Sequence, residues 1–240
     1  MAEPVALKDL ARALEPSEHE LIALVGGGGK TTTLLTLAGQ LPGRVLATTT
    51  TRMGSSQASG LATLDDPADE EVDGALAAHG TVFVRRGERD GKSLGVTSSD
   101  CDRWFGLADH VVVEADGSRM RPFKAPRPHE PVVPPATTTL VACIGGDALG
   151  RVIADQCHNP LRVAAVAGCS PYQRLTAARA ARVLSDDRGS RKACPATARY
   201  LVMVTKVDDA ARPFATELAN ILEPDIPVVT VSFEPGASPR

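Results

Sequence analysis

The stretch ELIALVGGGGKTTTLLTLAGQL, residues 20–41, decides how the chain is read. Its first six residues, Glu20 to Val25, form a short apolar run rich in branched side chains, the signature of a buried strand. From Lys30 to Leu41 the apolar groups fall at 34, 35, 37, 38 and 41, a helical period that Pro42-Gly43 stops. Between strand and helix lie Gly26, Gly27, Gly28 and Gly29. A glycine turn feeding a helix start is where backbone N–H groups cradle an anion. In that reading Lys30 reaches the terminal phosphates of a nucleotide, Thr31 holds Mg²⁺, and Thr32 completes the loop. The spacing is the short G-x-x-G-K-T-T form, because the longer pattern needs glycine at 24, where Leu24 stands. The dinucleotide fingerprint fails, with Thr31 where its third glycine belongs. The plain alternative is a glycine-rich turn whose lysine is only solvated.

Outward from this loop, strands alternate with helices. A helical period covers 5–14, strands are predicted at 45–51, 109–114, 138–144, 200–205 and 227–233, and helices at 173–185 and 210–222. Residues 81–86 and 93–96, flanking RGERDGK, read as a hairpin. Residues 54–80 read as a surface excursion with a short helix near 72–78, and 234–240 as a disordered tail. Several strands are continuous apolar runs, which indicates a mainly parallel sheet covered on both faces. The expected fold is a single α/β domain of three layers, α/β/α, resembling P-loop NTPases.

Two further strand ends carry chemistry. VVVEADG, residues 111–117, has the form of an acid-tipped strand, where Glu114 or Asp116 could hold the Mg²⁺ that bridges nucleotide phosphates. Read as E-x-x-G, it also lets Gly117 offer its N–H to a γ-phosphate. LVMVTKVD, residues 201–208, ends in Thr205-Lys206-x-Asp208, an arrangement in which the aspartate accepts from the N1 and N2 hydrogens of guanine and the lysine stem covers the base. Guanine is favoured, with adenine left open. Between them, residues 116–136 hold six prolines and cannot stay regular for long. Arg119, Lys124, His129 and Glu130 sit in that stiffened segment, Lys124 and Arg119 being candidates for a second substrate or a transition-state charge. The chain has six lysines against 20 arginines, so Lys30, Lys124 and Lys206, all inside proposed motifs, attract attention as compact point charges.

The 240 residues carry a formal net charge of −3, which argues against a nucleic-acid binder working through a general basic field. No apolar run approaches the length of a membrane helix. Five cysteines without a C-x-x-C pair fit a reducing compartment, and the chain reads as soluble and cytoplasmic.

With these motifs in order, the sequence resembles the YqeC-type family, described as accessory to selenium-dependent molybdenum hydroxylases. The resemblance rests on VGGGGKTTT at 25–33, ATTTTRM at 47–53, VVEADGSRMRPFKAPRPHEPVVP at 112–134, IGGDALG at 144–150, His158 and VTKVD at 204–208. It implies a nucleotide-binding maturation factor whose partners are a molybdenum hydroxylase or the proteins that mature it. Two positions depart from the family's pattern: Asn159 stands where arginine usually follows His158, and Thr205 where asparagine is usual. The leading expectation is thus a Mg²⁺-dependent NTPase using GTP or ATP, with Lys30, Glu114, Asp116 and Lys124 as its working groups. The alternatives are a kinase or ligase acting on an acidic small molecule, and a nucleotide-gated metallochaperone using Cys157-His158 and His129-Glu130.

Overall fold

The computed structural model describes residues 3–233, so the tail expected at 234–240 lies outside them. The chain runs β1 (Val5–Ala6), α1 (Leu10–Leu14), β2 (Glu20–Gly26), α2 (Lys30–Gln40), β3 (Val45–Thr49), β4 (Met53–Gly54) and β5 (Ala62–Asp65). It continues through α3 (Asp69–His79), β6 (Thr81–Arg85), β7 (Gly87–Arg89), β8 (Lys92–Leu94), α4 (Ser98–Trp104), β9 (His110–Glu114) and β10 (Phe123–Lys124). The last third holds β11 (Thr139–Gly145), α5 (Ile153–Gln156), β12 (Cys157–His158), α6 (Pro160–Ala167), α7 (Ala177–Ser185), β13 (Arg199–Thr205), α8 (Arg212–Leu222) and β14 (Val228–Ser232).

Nine strands form one sheet in the order β1-β14-β13-β11-β2-β9-β3-β6-β5. Every neighbouring pair in it is parallel. The alternation of side chains along β2 shows how both faces are covered. Ile22 and Leu24 point into a core with Leu10, Leu34 and Leu37 of α1 and α2. Ala23 and Val25 meet the α6–α8 side, and Leu21 joins Val72, Leu76 and Trp104 of α3 and α4. The chain steps one way along the sheet from β2 through α2 to β3. It steps the other way through α3, α4 and α8, so right-handed crossovers put those helices on the opposite face. This is the expected α/β class with helices on both faces.

Several local expectations change. Thr81–Arg85 is an interior strand paired with β3 and β5, not half of a hairpin; the antiparallel partner of the expected strand at 93–96 is Gly87–Arg89, so the hairpin is β7 with β8. The excursion at 54–80 contributes edge strand β5 and the eleven-residue helix α3, longer than the short helix expected there. At the start, only Leu10–Leu14 is α-helical, because Val5-Ala6 pairs with Val231-Ser232 at the other sheet edge. Helix α7 begins at Ala177 rather than 173, since the Thr176 hydroxyl caps it by accepting from the Arg179 N–H. Among the described residues no helix is long and apolar enough to cross a membrane.

Candidate functional site

Because all nine strands run the same way, their carboxyl ends share one edge. The chain leaves β2 toward β3 but later reaches β11 on the other side of β2, which makes the β2 end a topological switch point. In open parallel sheets, ligands bind at such points, outside the carboxyl ends of the strands. Gly26, Glu114, Gly145 and Thr205 all lie at this edge.

The glycine turn is tightly enclosed. A Cβ on Gly27 would lie 2.6 Å from the Arg121 carbonyl oxygen and 2.8 Å from the Phe123 nitrogen. One on Gly28, whose φ is +77°, would collide with the Gly145 backbone. Thus the proline-rich segment lies directly over the loop, held there by the Gly145 N–H donating to the Pro122 carbonyl at 2.8 Å. The first amide bond of α2 runs from Thr33 N–H to the Gly29 carbonyl, 2.9 Å, so the amides before it find no carbonyl within the helix.

Lys30 is buried, only 3% exposed. Its Nζ donates to the Gly26 carbonyl at 2.7 Å and lies 3.2 Å from Asp116 and 4.0 Å from Glu114. Strand β9 ends at Glu114, and Asp116 turns back so that both of its oxygens accept from the Gly26 N–H at 3.1 Å. Glu114 accepts from the Thr31 hydroxyl at 2.7 Å. Lys124 is 1% exposed and sits 3.3 Å from Asp116 and 2.8 Å from Glu130, also donating to the Gly117 carbonyl. Lys30, Asp116, Lys124 and Glu130 therefore form one chain of alternating charge through the base of the site.

Burial shapes the acidity here. Desolvation alone would lower the Lys30 ammonium, but Asp116 and then Glu114 outweigh it and hold Lys30 above its ordinary value. Glu114 is displaced upward: burial is the larger influence, and Lys30 and the Thr31 hydroxyl only partly offset it. Glu130 moves the other way, its burial outweighed by the hydrogen bond and charge of Lys124 and by the Arg127 N–H.

Other predicted residues fall into two further places. Thr205 lies beside the loop, its hydroxyl donating to the Gly28 carbonyl, and Lys206 pairs with Asp147 at 3.0 Å. Asp208 is exposed; its Oδ1 accepts from the Ala211 N–H at 2.8 Å at the start of α8, and its side chain borders a 280 Å³ cavity with Asp147 and Phe214. Gly117, Arg119, His129, Glu130 and His158 all line a separate cleft of about 800 Å³ on the β3 side. Lys124 is not in that lining; it borders a small cavity with Val25, Gly26 and Asp116, at the base of the phosphate loop.

Sequence reasoning gave no role to two residues that hold the site together. Lys192 belongs to none of the motifs, yet its ammonium donates to the carbonyls of Arg127, Pro128 and Glu130 at 2.6–2.7 Å, a task for a compact three-donor group. Its scarcity as a lysine was the available signal. Asn159 has φ +56°, a conformation asparagine tolerates better than most residues, and it bridges the Arg127 guanidinium and the Ala125 carbonyl. Asparagine thus anchors the proline-rich loop at the position where the resemblance leads one to expect arginine.

Fold and site define an α/β protein whose charged and glycine-lined groups converge at the carboxyl edge of a parallel sheet. A family model described as YqeC protein matches residues 22–161, more than half of the chain, and the chain belongs to that family. It is 29% identical over 238 residues to the Escherichia coli (strain K12) protein named "Uncharacterized protein YqeC", covering 93% of this chain and 89% of that one. No solved structure matches it.

Proposed function

We propose that this chain binds a nucleoside triphosphate with Mg²⁺ at the Gly26–Thr32 turn and hydrolyses it. The observation that carries the reading is Lys30, buried at a switch-point helix start and paired with two strand-end acids. A solvated turn lysine has no reason to sit there. Moving from Asp116 to a phosphate would exchange one anionic partner for another, so the site is arranged to respond to a ligand. The donor set fits Mg²⁺ shared with phosphates. Thr31 and Glu114 offer hard oxygen atoms, and among the described residues no group of three or more His, Cys, Asp or Glu could hold a metal alone.

The Thr205–Asp208 element stands beside the phosphate loop, where a base would lie, and supports GTP over ATP. When the metal is bound it supplies charge neutralisation at the phosphates. The chain's own part is positioning: Lys30 neutralises phosphate charge, the helix-start amides orient the oxygens, and the segment at 121–123 that covers the turn excludes water. Coupling that cycle to the maturation of a molybdenum hydroxylase is the role its family resemblance suggests. Competition binding of GTP, ATP and CTP with Mg²⁺ tests the base assignment. GTP preference that is lost in Asp208→Asn supports it, and stronger binding of ATP by the unaltered protein removes it. Product analysis separates hydrolysis, which releases free phosphate, from acceptor-dependent transfer.

A further inference from the structure

The 800 Å³ cleft beside the phosphate loop has a composition that the nucleotide reading does not use. Its walls come from the ends of β3, β6 and β9, the β7–β8 turn region and the proline-rich loop. They carry Arg52, Arg86, Lys92, Arg119 and Arg127. Among the described residues none of these five pairs with an acid, whereas Arg85, next to Arg86 in the chain, pairs with Asp65 and Glu88. The Arg127 guanidinium donates to Asn159 Oδ1 through its Nε, while its backbone N–H donates to Glu130 at 3.1 Å. The single acid in the lining, Glu130, is already neutralised by Lys124 at 2.8 Å. His158, also in the lining, registers the resulting field: burial first, then Lys124, Arg127 and Arg119, lower its affinity for a proton, with Glu130 opposing.

Arg119 and Met120 stand at φ +51° and +61°. Two successive left-handed residues other than glycine are costly, and such strain clusters where a side chain must be aimed at a ligand. The volume lies within the range of small-molecule sites. Forked guanidinium groups match phosphate oxygens bidentately. The lining holds no Phe, Tyr or Trp, so charge rather than a large aromatic face dominates it. Thr205 and Arg52 follow strands that are four positions apart in the sheet, roughly 19 Å, with the phosphate loop between them. The cleft is therefore too far from the Asp208 side to hold the base of a nucleotide anchored there.

We infer that this cleft binds a phosphorylated small molecule, distinct from the nucleotide, through Arg52, Arg86, Arg119 and Arg127. The inference stands on the cleft's own charge and shape and does not require the phosphate loop to bind anything. Calorimetric titration of the full chain with inorganic pyrophosphate, without Mg²⁺, tests it. Pyrophosphate should bind. Arg52→Ala and Arg119→Ala should each weaken binding about tenfold. Arg52, Arg86 and Arg119 are exposed and unpaired, so unchanged melting temperatures will show that these variants remain folded. A charge reversal, Arg86→Glu, should abolish binding. The inference is overturned by no binding, by binding lost with Lys30→Ala but not with the arginine variants, or by citrate binding more tightly than pyrophosphate. Displacement of pyrophosphate by a single-stranded RNA oligomer of higher affinity would overturn it in favour of a nucleic-acid groove.

Discussion

Asp116→Asn keeps the shape of a side chain that is 2% exposed and removes only its charge. In the native chain this carboxylate lies between two ammonium groups, Lys30 at 3.2 Å and Lys124 at 3.3 Å, and accepts from the Gly26 N–H. Lys124 keeps Glu130 at 2.8 Å after the substitution, but Lys30 is left with Glu114 at 4.0 Å as its nearest acid. The loss is thus one uncompensated buried ammonium, which costs about 3–5 kcal/mol when a buried pair is broken. One amide hydrogen of the new asparagine would also face the Gly26 N–H or a lysine, adding to the loss. For a chain of this length the melting temperature should fall by roughly 6–20 °C. Thermal unfolding monitored by circular dichroism measures it. In the double variant Lys30→Met/Asp116→Asn, the costs should be less than additive by about 1–3 kcal/mol, because the unpaired charge is gone. A single variant that melts within 2 °C of the native chain, or strictly additive costs, would refute the account of a coupled charge chain.

Other consequences follow from the same contacts. Glu130 is held below its ordinary value near 4.5, so its stabilising effect is present above that pH and is lost as pH falls through the lower folded value. The melting-temperature gap between native chain and Glu130→Gln should therefore be widest near neutrality and close in acid; a gap independent of pH would contradict the shift. Lys192→Ala removes three hydrogen bonds to carbonyls of the proline-rich loop and should increase proteolytic cleavage within 116–135 at least severalfold, read by timed digestion. Leu37→Ala, in a fully buried position of α2, should cost about 2–5 kcal/mol by denaturant titration.

Much of the scaffold was legible because parallel strands buried on both faces leave continuous apolar runs, as in Leu21–Val25 and Val111–Val113. What failed was pairing. TVFV at 81–84 is also a buried run, and the turn chemistry of RGERDGK beside it drew attention to a local hairpin when its true partners are more than 15 residues away. Helix α4 was missed among polar residues, although Thr97 and Asp100 spell a capping box. Helix α6 was likewise bounded by visible signals, Pro160 at its start and Gly168 at its end. The charged chain Lys30–Asp116–Lys124 was half visible: the residues were named, but their burial was not, since lysine in a loop reads as solvated. The cationic cleft was legible only through Arg119, His129, Glu130 and His158; Arg52, Arg86 and Arg127 come from separate segments that share no spacing with them.

The central claim is that the Gly26–Thr32 turn binds a nucleotide through Lys30. Isothermal titration of the native chain and of Lys30→Ala with Mg·GTP and Mg·ATP, after confirming by circular dichroism that the variant is folded, tests it most directly. The account predicts saturable binding by the native chain and at least a tenfold loss in the variant, the worth of one charge-assisted contact to phosphate. Equal affinity in both proteins, or no binding of either nucleotide by the native chain, would contradict it.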